Sequence, residues 1–322
     1  MVAIPLLMEY GAKVAKRTQE AQDGSFVGNS AVLLARSAIA AVSALVGQTG
    51  LSALAYPTGL TRGVVPKNIH SHNDYWRAVP LMDALSVGCK SVEADVYLSD
   101  GKLLVGHTRS ALTPARSLDA LYLDPMLEIF ALQNPSSDGT AAYTNGVYNY
   151  DPAQSLQFII DYKTEASALH EAIIPALERF RSRDLLSYLD TTTSSLHIRP
   201  LTVVCSGNCN VSTVLSQTGR RDIFLDAPLH DIDNPAYTSE VAALASTSWK
   251  KTLGWVDSWS MGKAKRDKVR ALVEIAHAKG IQARFWETPS WPAFVRDNIW
   301  RGLLASGVDY INADDLYAAS QI

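Results

Sequence analysis

Residues 68–107, NIHSHNDYWRAVPLMDALSVGCKSVEADVYLSDGKLLVGH, hold His70, His72, Glu93, Asp95 and His107. Glu93 and Asp95 stand two apart in SVEADVYL, alternating with Val92, Ala94 and Val96. A strand turns successive side chains to opposite faces, so the two carboxylates share one. On a buried face two like charges need a cation between them, and hard oxygen ligands suit Mg²⁺ or Ca²⁺. On a solvated face the same pair needs no ion. Asp161 ends the apolar run 156–160, and Lys163 follows two residues later. An acid at the carboxyl end of a barrel strand lies where barrel enzymes build their sites. Glu93, Asp95 and Asp161 are therefore read as a three-carboxylate metal site, with Lys163 as a phosphate contact or a counter-charge. His70 and His107 are read as the acid–base pair, because imidazole titrates near neutral pH. His72 shares a strand face with His70 and is either a supporting partner or a redundant candidate. His170, His197, His230 and His277 lack such company and are read as structural. In ARFWETP, Arg284 and Trp286 also face alike. The arginine would clamp a phosphate oxygen, and the tryptophan would floor a pocket for an apolar or choline-like group.

Such residues need a frame that brings distant strands to one place. From Lys67 onward short strand-like runs alternate with helix-like ones. Strands are expected at 67–72, 91–98, 156–163, 201–206, 222–227, 282–287 and 308–313, with a weak one at 247–254. Between them, PLMDALSVG closes on Gly88, EASALHEAIIPALERFRSR carries a helical apolar spacing with Pro175 as a kink, and RDKVRALVEIAHAKG closes on Gly280. This alternation, repeated about eight times, predicts a closed parallel barrel or a doubly wound sheet. The stretch 133–152, rich in Asn, Gly, Ser and Tyr, reads as a long loop and a candidate lid, or as a surface excursion.

The bulk numbers exclude some functions. The 322 residues carry 29 Lys and Arg against 32 Asp and Glu, a net charge of −3, so nothing supports a chain-wide nucleic-acid footprint. Cys89, Cys205 and Cys209 are three in number, which speaks against a disulfide-stapled secreted scaffold; they are read as small buried residues or free thiols. Residues 1–65 form a separate N-terminal extension, with no acidic residue between Asp23 and Asp74. Within it AVLLARSAIAAVSALVG is too short and interrupted for a membrane span. It reads as a packed Ala-rich helix, or as a targeting or peripheral membrane-contact segment over residues 27–56. An intracellular chain is expected, with mitochondrial or membrane association left open.

The motif set resembles the phospholipase-C-like phosphodiesterase superfamily, which includes glycerophosphodiester phosphodiesterases and venom-type phospholipases D. The elements that carry the likeness are HSHN, VEADVYLSDGKLLVGH, FIIDYKT, ARFWETP and GVDYINADD. HSHNDYWRAVPL, SVEADV, LYLDP and INADDL look most like the fungal "altered inheritance of mitochondria" branch. The likeness runs from about residue 66 to 318. It implies a (β/α)8 TIM-like barrel over 66–322, His70 and His107 as the acid–base pair, and Glu93, Asp95 and Asp161 as ligands of Mg²⁺ or Ca²⁺. It places Asn73 and Lys163 as supporting and phosphate-contacting groups and Trp286 in the pocket wall. Two departures stand out. His70-Ser71-His72 replaces the usual His-Arg-Gly, leaving the phosphate to Lys163 or Arg284. TRSALTPARS replaces the cysteine-closed loop of the venom-type enzymes, so their substrate preference does not transfer. The expected activity is metal-dependent cleavage of a glycerophosphodiester or lysophospholipid-type substrate. The rivals are a silent barrel that binds phospholipid headgroups or a protein partner, and a metal-independent phosphoinositide-type phospholipase C.

Overall fold

A computed structural model describes residues 59–135, 144–255 and 259–322. The expected helical extension therefore lies outside the described residues except for 59–65, and the 27–56 membrane-contact segment lies wholly outside them. Twelve strands are described: β1 (Lys67–Ser71), β2 (Cys89–Ser99), β3 (Lys102–Val105), β4 (Leu156–Tyr162), β5 (Tyr188–Asp190), β6 (Ser195–His197), β7 (Leu201–Gly207), β8 (Arg220–Arg221), β9 (Ile223–Pro228), β10 (Ala242–Ser248), β11 (Gln282–Trp286) and β12 (Tyr310–Ala313). Eight of them pair in parallel in the order β1-β2-β4-β7-β9-β10-β11-β12, and β12 returns to β1, so the sheet closes into a (β/α)8 barrel.

The alternation in the strands decides the layers. On β2, Val92, Ala94 and Val96 are fully buried against the outer helices, while Ser91, Glu93 and Asp95 point inward. Low in the barrel, Ser91 donates to Gln157, Gln157 to Gln282, and Tyr310 to Gln282. Ile159, Val204, Leu244 and Tyr310 form an apolar plug of their own. Side chains thus fill the lower barrel, and the polar groups above the plug face the carboxyl ends of the strands.

The helices follow local signals. In α1 (Met82–Ser86), α2 (Asp124–Gln133) and α3 (Ala166–Ala176) the apolar face meets the barrel. The Glu165 side chain caps α3 by accepting from the Ser167 and Ala168 N–H groups. The expected long helix over this region breaks after Pro175 into α3 and α4 (Glu178–Arg181). The remaining helices are α5 (Val211–Leu215), α6 (Trp249–Leu253), α7 (Lys263–Ala278), α8 (Ala293–Leu304) and α9 (Leu316–Ser320). Val269, Val273 and Ala276 bury one face of α7. It ends at Gly280, where Gly280 N–H reaches His277 O and Ile281 N–H reaches Ala276 O.

Three expectations are corrected. The weak strand at 247–254 is mostly helix α6; the barrel strand is β10, whose AALASTS lacks the β-branched, aromatic look of a strand. Ser248 ends the strand and caps α6 by accepting from Lys251 N–H. Cys205 and Cys209 are joined in a disulfide, and only Cys89 among the three is a free buried thiol. The described residues of the 133–152 stretch, 133–135 and 144–152, do not cover the strand ends. They join α2 to the start of β4 and pack at the amino-terminal end of the barrel, where Tyr148 OH donates to Cys89 O and Thr61 Oγ1 donates to Val147 O. No helix among the described residues is long and apolar enough to cross a membrane.

Candidate active site

Register brings the acids together. β2 and β4 pair with Asp95 opposite Asp161, while Glu93 stands one inward step earlier, opposite Ile159. One carboxylate oxygen from each of Glu93, Asp95 and Asp161 lies within 4.8 Å of the others. The Lys163 ammonium is 3.1 Å from Asp95 Oδ2 and 3.1 Å from Asp161 Oδ1. Burial raises the Asp95 and Asp161 carboxyls; Lys163 opposes this, while the neighbouring acids add to it. Burial alone would lower the lysine, but the Asp161 and Asp95 charges outweigh it and hold it protonated. Three acids against one ammonium leave two negative charges. Hard oxygen donors carrying that surplus fit a divalent cation, so Glu93, Asp95 and Asp161 form a cluster able to hold one.

The two histidines stand on different members of this acid cluster. His70, at the carboxyl end of β1, is fully buried; its Nε2 lies 3.3 Å from Glu93 Oε2 and its Nδ1 2.7 Å from Ser91 Oγ. Burial, with the nearby Arg284 charge, pushes its imidazole down to about 3, so it rests neutral. Burial opposes the charge on Glu93, but the hydrogen bond to His70 and the Arg284 guanidinium outweigh it and keep Glu93 ionised. The Asn73 N–H, 3.2 Å from Glu93 Oε2, also favours that charge. The Ser91 hydroxyl in turn reaches Gln157.

His107 is placed by the hairpin SDGKLLVGH. Asp100 and Gly101 both have positive φ, as a two-residue type I′ turn requires, and β3 runs back antiparallel to β2. Gly106 N–H then bonds Asp95 O, and His107 Nδ1 lies 3.3 Å from Asp95 Oδ2. Its side chain is half exposed, with the Trp76 ring centroid 5.0 Å away.

Other expected residues have different settings. Asn73 turns its side-chain oxygen to Tyr75 OH at 2.7 Å, so its side chain braces the site instead of lining it. Arg284 is 4% exposed, with its guanidinium bound to Asp226, Ser246 and Asn312. Thus engaged, its guanidinium is held as a charged wall of the cavity. Lys163, with a quarter of its side chain exposed, remains open to an incoming anion. Trp286 stands at the rim. His72 pairs with Asp314 at 2.8 Å, and this bond outweighs burial to raise its imidazole. Sequence reading missed Tyr75, whose hydroxyl meets Asn73, Asp95 and His107. It also missed Ser91, and Gly207, which closes against Asp161. The only signal for Tyr75 was its place three residues after the HSH run.

A parallel eight-stranded barrel with three acids able to hold a cation at its carboxyl end, flanked by two histidines, fits a phosphodiesterase-like domain. Residues 58–226 match the AIM6-like phosphodiesterase domain. The chain is 38% identical over 274 residues to the altered inheritance of mitochondria protein 6 homolog of Arthroderma benhamiae, covering 82% of this chain and 86% of that one. It is 36% identical over 290 residues to altered inheritance of mitochondria protein 6 of Saccharomyces cerevisiae, covering 82% and 72% respectively. The chain thus belongs to the AIM6-like phosphodiesterase domain family. Among solved structures it is similar to a glycerophosphodiester phosphodiesterase from Parabacteroides distasonis, with a TM-score of 0.42, 11% identity, and coverage of 80% of this chain and 97% of that one.

Proposed function

We propose that this barrel is a Mg²⁺-dependent phosphodiesterase that cleaves a glycerophosphodiester or lysophospholipid-type substrate by two-histidine acid–base catalysis. The observation that carries this reading is the convergence of three carboxylates within 4.8 Å, with His70 and His107 each 3.3 Å from a different one of them. A divalent ion held by Glu93, Asp95 and Asp161 would neutralise charge on the phosphodiester. Lys163 contacts a phosphoryl oxygen from the open side of the same cluster. Neutral His70 takes the proton of the attacking hydroxyl, and Glu93 steadies the imidazolium that forms by accepting its hydrogen bond. His107, oriented through Nδ1 by Asp95 and Tyr75, hands a proton from Nε2 to the leaving alcohol. The Tyr75 hydroxyl stays protonated because burial and the Asp95 charge push its pKa far up. The attacking hydroxyl belongs to water or to the substrate; in the second case the first product is a cyclic phosphate.

The test is a panel of glycerophosphodiesters and lysophospholipids, assayed with Mg²⁺, Ca²⁺ or EDTA and followed by phosphorus NMR. Turnover of a panel member should fall to background with EDTA, and roughly 100-fold or more with His70→Ala or His107→Ala. Binding without turnover would support the silent-barrel alternative instead. Activity that survives both EDTA and Glu93→Gln would end the metal-dependent reading.

A further inference from the structure

The chain has seven tryptophans, and five stand at the surface: Trp76, Trp255, Trp259, Trp286 and Trp291, from 37% to 81% exposed. Their placement is not scattered. Trp76 follows β1, Trp255 and Trp259 follow β10, and Trp286 and Trp291 close and follow β11. The exposed Phe294, at the start of α8, packs on Trp259 with ring centroids 5.2 Å apart. All six rings thus lie on the barrel end that carries the acidic cluster. Among the described residues, the other exposed large apolar side chains, Val65, Leu132, Tyr150, Leu196, Ile198 and Leu215, all lie in segments leading into the amino ends of strands. One end of the barrel is therefore rimmed with indole. A groove of about 590 Å³ runs along this rim, lined by Trp249, Lys250, Trp255, Trp259, Trp291 and Pro292 among others.

The charge beside the groove is mostly positive, although Glu287 lines it and Asp267 pairs with Lys263. Residues 249–270 carry seven Lys and Arg against two Asp, in a chain whose net charge is −3. Lys250, Lys251, Lys263 and Lys268 are exposed, and Lys250 Nζ lies 5.0 Å from the Trp255 ring centroid. Indole rings prefer the headgroup depth of a bilayer, where an apolar body and a polar N–H are both satisfied. Lysines beside them are drawn to anionic headgroups. Among the described residues this rim exposes no large aliphatic or methionine side chain beside its rings. We infer that the tryptophan and lysine rim docks the open end of the barrel on an anionic phospholipid bilayer. Docking sets the mouth of the site at headgroup level, where a phospholipid-derived diester would enter it. It does not require turnover, so its test stands apart from that of the catalytic reading.

The full-length chain is sedimented with phosphatidylcholine vesicles with and without phosphatidylserine, and tryptophan emission is followed in parallel. The wild type should bind the phosphatidylserine vesicles, with a blue shift in emission that added salt weakens. Because residues 1–58 are the same in every variant, the rim is read by difference. Trp255→Ala with Trp291→Ala should lower the partition constant on all vesicles, and Lys250→Glu with Lys251→Glu should lower it about tenfold or more on the anionic ones only. Thermal melts of these surface variants should match the wild type. Wild-type-like binding by both pairs, or no binding by the wild type, would overturn the inference. So would self-association in the ultracentrifuge that is lost in the tryptophan pair, since the rim would then be an interface between copies.

Discussion

Gly207 carries no side chain, yet it sets where Asp161 can stand. Its φ is +66°, and an added Cβ would fall 2.2 Å from Asp161 Oδ1 and 2.8 Å from Tyr162 O. Gly207→Ala must therefore push the aspartate out of line as well as strain the backbone. The expected outcome is at least a tenfold loss of Mg²⁺ or Mn²⁺ affinity by calorimetric titration, for a stability loss of roughly 1–2 kcal/mol. Unchanged ion affinity would mean that Asp161 is not a ligand. The sequence made Glu93, Asp95, His70 and His107 legible because their chemistry is conspicuous and a period of two places the acids on one face. Gly207 was hidden because its role exists only where β7 lies against β4, with Ser206 opposite Asp161. Tyr75 was hidden for a like reason: its hydroxyl acts only once β2 brings Asp95 to it. The ion pair of Arg284 was hidden because its partner, Asp226, lies 58 positions away on β9, and no local pattern announces the pair.

Between β1 and α1, one short connection holds Asn73 and Tyr75, and it is pinned by a buried acid. Asp74 is fully buried; it accepts from Ser71 Oγ at 2.7 Å, Leu81 N–H at 2.6 Å and Tyr122 OH at 3.0 Å. Burial raises its carboxyl from 3.8 to about 6 against the pull of those bonds. The folded state thus binds a proton more tightly than the unfolded chain between these values. Stability contributed here falls as pH rises from about 4 to 6 and is regained on acidification, by a total on the order of 3 kcal/mol. Asp74→Asn has no proton to lose, and its amide can still accept from Leu81 N–H and donate to a hydroxyl. In urea unfolding at pH 4.5 and pH 7, the wild type should therefore gain on the variant at the lower pH; parallel changes in the two would refute the assignment. Elements were easier to foresee than their joints. The eight-fold alternation was visible in apolar periodicity, but β10 begins five residues before the expected strand and overlaps it only at 247–248, because small residues in a strand packed on both faces give no strand signature. The disulfide was missed because CSGNC matches no familiar spacing, whereas its Cα atoms, 5.8 Å apart, meet across the turn that ends β7.

Across the whole barrel, charge is distributed so that one end carries an unbalanced load. The interior floor is neutral, with Ser91, Gln157, Gln282 and Tyr310 satisfying one another, and the Arg284–Asp226 pair above it cancels. What remains is Glu93, Asp95 and Asp161 against Lys163, two negative charges held near one another under partial burial. Such a cluster destabilises the fold when empty of cations and stabilises it when one binds, because the ion binds the folded state alone. Mg²⁺ at a hundred times its dissociation constant should add about 2.7 kcal/mol to unfolding, read as a rise in thermal midpoint that EDTA reverses. Asp161→Asn separates this from an ordinary salt effect. Removing one of the three acids lessens their mutual repulsion, so without divalent ions the variant should melt no lower than the wild type. With saturating Mg²⁺ the order should reverse, because only the wild type keeps the full ligand set. A wild type that melts at the same temperature in Mg²⁺ and in EDTA would show that Lys163 alone balances the acids, and the barrel would then need another account of how it meets a phosphodiester.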